Sequence, residues 1–187
     1  MKQKLFSIFQ RSWELMLSTS TAWNAIEQED NTKNQVVRQF IYPWIIICTV
    51  LVMAFDMIYS SGSIIKAGFI SGLTTIISYL GAFYTANYLS FRFLNKKFTG
   101  KYTKYDNEKI IAYSFTIIFI IKIITSAIPS LFFLKILNIY TIYLVWDACR
   151  AILKLDDEER GNYVLITTGL ILLSPFIFNK ILGAMLP

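Results

Sequence analysis

The chain has 187 residues, 55% of them hydrophobic, and a mean hydropathy of +0.51, which is more apolar than a soluble domain of this length. Its 18 Lys and Arg against 12 Asp and Glu leave a net charge of +6, which in so apolar a chain serves orientation and contact with anionic head groups rather than nucleic-acid binding. Histidine is absent, which removes the commonest general base, the usual zinc ligand and any Ser-His-Asp triad.

Residues 1–39 form the first segment. Leu5, Phe6, Phe9, Trp13, Met16 and Leu17 recur at helical spacing, with Lys2, Lys4, Gln10, Arg11 and Glu14 on other faces. The pattern predicts an amphipathic helix that either lies at the membrane interface or docks against the bundle. A second short helix is expected after the hydroxyl cluster 18–21, with Trp23 and Ile26 on one face and Glu27, Glu29 and Asp30 beyond. That acidic patch is either a solvated face or a seat for a cationic partner. Phe6, Phe9, Trp13 and Trp23 are assigned to the head-group level, where aromatic rings with a polar edge sit well. Charge and amide groups interrupt the segment and no small-residue cleavage site follows an apolar core, so no cleavable signal is expected.

Five apolar stretches follow, at 40–58, 64–91, 110–127, 131–153 and 163–186. About 20 residues at a rise of ~1.5 Å cover a hydrocarbon core of roughly 30 Å, so each is long enough to cross a bilayer. The predicted fold is all-α: a polytopic five-helix transmembrane domain over 40–187, preceded by the amphipathic helix. In the second stretch Gly68, Ser71, Gly72, Thr75, Ser78, Ala82 and Ala86 make a stripe of small residues. Such a stripe lets backbones approach closely, either within the bundle or across a dimer, and marks this span as the expected packing centre. Pro43 and Pro175 are expected to bend the first and fifth spans. Cys48 and Cys149 fall at different depths and are expected to stay free and buried.

The basic residues are placed unevenly. With the amino terminus inside, 14 of the 18 lie on the cytoplasmic side, in 2–38, 92–109 and 150–160. The positive-inside rule then predicts a cytoplasmic amino terminus and an outward carboxyl terminus, and the abundance of Ile, Lys, Asn, Tyr and Phe suggests an AT-rich bacterial genome and with it a bacterial cytoplasmic membrane. The acidic run 156–159 does not oppose this, because carboxylates contribute little to topology and suit the positive end of the helix that follows. The outer connections, 59–63 and 128–130 with Pro129 as breaker, are very short.

Ionisable residues at membrane depth are the first place to look for function. Asp147 stands near the cytoplasmic end of the fourth span with Arg150 at i+3. It is read either as a polar site for a proton, an ion or a head group, or as a paired or water-exposed carboxylate near the interface. Lys66, Lys122, Lys135 and Lys180 fall toward the outer side. Their long stems allow snorkelling to head groups; alternatively they ring an outer-leaflet phosphate site opposed by Asp56. The Lys- and Tyr-containing loop 95–109 adjoins two spans and is read as an anionic-lipid contact. No Walker loop, G-x-S-x-G, C-x-x-C or spaced carboxylate pair is present, so no catalytic, metal or cofactor site is assigned.

The run Ile111-Ala112-Tyr113-Ser114, then Ile128-Pro129, then Tyr140-Thr141-Ile142-Tyr143-Leu144, resembles the Ypt-interacting protein (YIP) domain family. Ser20-Thr21-Ala22-Trp23-Asn24-Ala25-Ile26-Glu27 is similar to the lead-in of its bacterial members, and the charged link 154–160 into a last apolar helix is similar as well. The family usually has a proline soon after the alanine-tyrosine-serine element, where Phe115-Thr116 stand here, and often a small residue where Trp146-Asp147 stand. The resemblance implies five membrane helices with the amino terminus inside. Eukaryotic relatives are non-enzymatic adaptors in vesicle traffic that bind small GTPases and one another. Two readings of function remain. One is a membrane organiser or adaptor for anionic lipids, a partner membrane protein or a second copy. The other is a small transporter, channel or lipid-handling protein using Asp147 and the outer lysines.

Overall fold

The structure is a computed structural model that describes residues 2–29, 35–60, 62–95 and 103–185, with side chains from Ile8 onward. Every regular element among the described residues is helical. Two short helices, α1 (Lys2–Leu17) and α2 (Thr19–Gln28), precede five long ones. These are α3 (Val37–Tyr59), α4 (Ile64–Asn95), α5 (Lys104–Ala127), α6 (Pro129–Leu153) and α7 (Asp157–Met185), all apolar and long enough to cross a membrane. The chain is a polytopic all-α membrane protein. The bundle end that carries α1 and α2 is called the near end below, and the opposite one the far end.

The helices α1 and α2 are docked rather than loose. Leu15, Trp23 and Ile26 are fully buried, and Trp23 meets the Tyr113 ring of α5 edge-on at 5.9 Å. Trp44 Nε1 donates to Ser12 Oγ at 3.1 Å and the Tyr140 hydroxyl donates to the Met16 carbonyl at 3.1 Å. Lys109 Nζ donates to the carbonyl of Ile26 at 3.3 Å, a second donor on an acceptor that the Glu29 N–H also reaches at the end of α2. This corrects the expectation for Trp23: it is a packing residue inside the bundle, not a head-group anchor. An indole can serve either place, and only the docking of α2 decides between them.

The long helices depart from α geometry at identifiable residues. A π-helical turn over Val37–Ile41 opens α3 just before Pro43, whose missing N–H interrupts an α ladder. In α5 the winding breaks at Phe115, and Thr116 Oγ1 donates back to the Tyr113 carbonyl at 2.7 Å. A hydroxyl bonded to the preceding turn bends a helix without proline. The first half of α6, Pro129–Tyr140, is wound as 3-10 helix with a kink at Leu131 (φ −87°, ψ 22°) and has no buried residue. At ~2.0 Å per residue such winding reaches further than an α-helix of the same length. A π turn at Cys149–Leu153 ends α6, closed by Lys154 in the left-handed region at φ 51°.

Close backbone approach sets the packing of α4. A Cβ on Gly68 would stand 2.4 Å from Met57 Cγ, and one on Gly72 3.3 Å from Met53 Sδ, both on α3. Thr75, Ser78, Ala82 and Ala86 are buried. On another face Gly81 meets Phe178 of α7, where a Cβ would lie 2.7 Å from Cε1. The most enclosed helix is nevertheless α5, buried at every residue from Lys109 to Phe119. Its uniform Ile and Phe content conceals that position, because lipid and protein interior are equally apolar. Trp44 stacks on Phe119 at 5.9 Å, Tyr79 meets Phe119 at 5.1 Å and Phe83 meets Phe115 at 6.1 Å, so an aromatic layer crosses the middle of the bundle. Cys48 and Cys149 are free and buried.

Candidate functional site

Polar recesses lie at both ends of this layer. At the near end Ser20, Asn24 and Glu27 of α2 face Asp147, Arg150 and Lys154 across a recess of about 430 Å³. Asp147 is only 9% exposed, and its Oδ2 is buried with no hydrogen-bond partner. Lys154 Nζ pairs with Glu27 Oε1 at 3.2 Å. Asp147 and Arg150 line the same recess without an ion pair between them. The i,i+3 pairing expected of them assumes α spacing, and the π turn that starts at Cys149 changes it. A buried carboxylate with an open oxygen, beside an exposed guanidinium and an ion pair, can receive a cationic or hydrogen-bonding group.

Close by, α4, α5 and α7 are tied by side chains that the hydrophobic pattern did not single out. Asn107 Nδ2 donates to Asn87 Oδ1 at 2.7 Å and to the Asn87 carbonyl at 3.1 Å. Its Oδ1 accepts from the Tyr163 hydroxyl at 2.9 Å and from Ser90 Oγ at 3.0 Å, and Ser90 Oγ lies 2.9 Å from Thr167 Oγ1. Asn107 thus uses both donors and both acceptor directions while fully buried. Starting the third span at 110 left it outside the helix. The signal was the Thr103 capping box, in which Thr103 Oγ1 accepts from the Asp106 N–H at 3.2 Å.

At the far end a cleft of about 480 Å³ opens between α5, α6 and α7, lined by Lys122, Thr125, Lys135, Asn138, Asn179 and Phe176 among others. A smaller one of about 260 Å³ shares Lys122 and Asn179 and is lined also by Asp56, Ser71 and Thr75. Of the outer residues named from the sequence, Lys122 and Lys135 meet in one cleft and Asp56 borders its neighbour. Lys66 is exposed and lines neither, and Lys180 Nζ lies 5.8 Å from the centre of the Phe176 ring, also outside both. Phe9 and Trp13, 49% and 63% exposed, project from α1 over an apolar groove bordered by Trp44, Leu51 and Ile123. The side chain of Phe6 lies outside those described. Ser71 is half-buried, its Oγ donating to the Gly68 carbonyl at 3.1 Å.

Comparison with curated proteins and with solved structures returns no match. A family model for the Yip1 domain matches residues 13–178, which takes in α2, all five long helices except the last turns of α7, the near-end recess and every lining residue of the far-end clefts but Asn179, and the chain belongs to that family.

Proposed function

We propose that the protein is a non-enzymatic membrane organiser that engages lipid head groups, or the tail of a partner protein, at the face formed by α1, α2 and the end of α6. The observation that carries this reading is the separation of its polar recesses by packed rings. The near-end recess shares no lining residue with the far-end clefts, and Trp44, Phe83, Phe115 and Phe119 stand fully or almost fully buried between them. A transporter needs buried charges on a continuous water path, and a site on each face closed by a ring layer suits holding better than passage. The basic residues gathered at the near end favour a cytoplasmic position for that face in a cell membrane, with the carboxyl terminus outside.

Reconstitution into liposomes tests the reading. The full chain is expected to add no proton or small-ion flux to protein-free vesicles, and the Asp147→Asn variant is expected to behave identically. A flux that the wild type supports and Asp147→Asn abolishes would overturn it in favour of transport.

A further inference from the structure

The far-end cleft holds an arrangement that the packing of the bundle does not use. Lys122 of α5 and Lys135 of α6 line it together, and neither has a carboxylate within ion-pair distance among the described residues. Lys122 is half-buried and Lys135 exposed, and two ammonium groups lining one cleft repel each other. The cheapest relief is an anion between them. Asp56 shares the smaller neighbouring cleft with Lys122, without an ion pair between them, and does not line the cleft where Lys122 and Lys135 meet.

The backbone explains why the polar groups converge. Residues three apart on a 3-10 helix lie one above the other, so the 3-10 winding of Pro129–Tyr140 puts Lys135 and Asn138 on one edge of α6. Lys122 and Thr125 stand one turn apart on α5 and Phe176 and Asn179 one turn apart on α7, facing the same cleft. Asn138 Oδ1 is buried with no donor. The Thr125 hydroxyl is already committed to the Ile121 carbonyl at 2.9 Å, and the Asn179 amide to the Pro175 carbonyl at 2.7 Å. The cleft therefore offers two cations and, at Asn138, a buried acceptor without a donor. Tyr79, Ile118, Ile121 and Leu172 supply apolar wall.

We infer that this cleft binds the phosphate of an anionic glycerophospholipid from the far-end leaflet, with Lys122 and Lys135 on the phosphate oxygens and a head-group hydroxyl donating to Asn138. A phosphate between two ammonium groups forms charge-assisted hydrogen bonds and removes their repulsion. The acyl chains leave along the apolar surface of α6, where Phe132, Phe133 and Ile136 are exposed. The inference deepens the lipid-engaging reading and rests on it; a measured solute flux bears on that reading, whereas the binding experiment below bears on the far-end cleft alone.

Native mass spectrometry of the full chain in detergent, titrated with phosphatidylglycerol or phosphatidylcholine, tests it. The wild type binds phosphatidylglycerol more tightly. Lys122→Gln with Lys135→Gln weakens that binding by roughly tenfold or more, the loss expected from removing charged hydrogen-bond partners, and leaves phosphatidylcholine unchanged. Lys66→Gln with Lys180→Gln, outside the cleft, leaves both lipids unchanged. Asn138→Leu alters no charge, weakens phosphatidylglycerol several-fold, and keeps the inference exposed if the double lysine variant does not fold. Equal loss from the Lys66 and Lys180 pair overturns the site in favour of diffuse charge. Undiminished binding in the cleft variants overturns it outright, and displacement of the lipid by equimolar inorganic phosphate overturns the lipid as its occupant.

Discussion

The two ends of the bundle handle polar groups in opposite ways. At the near end several buried polar side chains serve another part of the chain: Asn107 joins three helices, Lys109 reaches the end of α2, and Tyr140 reaches the end of α1. Lysine appears there as a structural donor, 5% exposed and with its ammonium 4.9 Å from the centre of the Tyr105 ring. At the far end the connections are short, and Lys122 and Lys135 face a cleft with no carboxylate paired to them among the described residues. Polar groups inside a membrane protein either brace the fold or wait for something outside it. The difference between Lys109 and Lys135 lies in what the surrounding backbone leaves unpaired, since the two side chains are chemically the same.

The comparison is most easily broken with the tryptophans. Trp23→Ala removes a fully buried indole from between α2 and α5 and is expected to cost about 3–5 kcal/mol, whereas Trp13→Ala on the exposed side of α1 is expected to stay within about 0.5 kcal/mol. Reversible unfolding in mixed micelles measures both, and equal costs would mean that α1 and α2 do not dock as described. Lipids brominated on their acyl chains sharpen the same point, since they should quench Trp13 in a variant that keeps only that indole.

The lysines give the next largest contrast. Lys109→Gln loses a charged donor to a helix-terminal carbonyl and is expected to destabilise by roughly 1.5–3 kcal/mol. Lys135→Gln, relieving repulsion in an empty cleft, is expected to be neutral to slightly stabilising in lipid-free micelles. A loss at Lys135 as large as at Lys109 would make both structural and erase the distinction between the ends.

The smallest effect concerns contact between helices rather than polarity. Gly68→Ala places a methyl group 2.4 Å from Met57 Cγ, which must shift, at an expected cost of about 1–3 kcal/mol. Met57→Ala made on top of Gly68→Ala should recover part of that cost. Strict additivity of the two would show that α3 and α4 do not meet through this glycine.

Much of this architecture was legible along the chain. The stretch read at 40–58 is the helix Val37–Tyr59, and the one read at 131–153 is Pro129–Leu153. The small residues of the second stretch mark a face, and Gly68 and Gly72 do meet α3 there. Less legible was anything that depends on angle around a helix. Trp23 reads equally well as an interfacial ring and as a core ring. The expected pair Asp147 and Arg150 rests on α spacing that a π turn removes. Asn107 fell outside its own helix because an apolar window begins only at Ile110, after the capped polar turn.

By itself the sequence determined that this chain crosses a membrane several times, and roughly where. Apolar length and charge placement are one-dimensional properties, and the bilayer reads them directly. Only the tertiary structure decided which polar residues share a recess. Lys122 and Lys135 are thirteen positions apart and meet because α6 starts as a 3-10 helix folded back beside α5. Lys66 and Lys180 carry the same charge and line neither far-end cleft. Angular position is set by helix winding and by the neighbours a helix packs against, which a linear pattern records only in part.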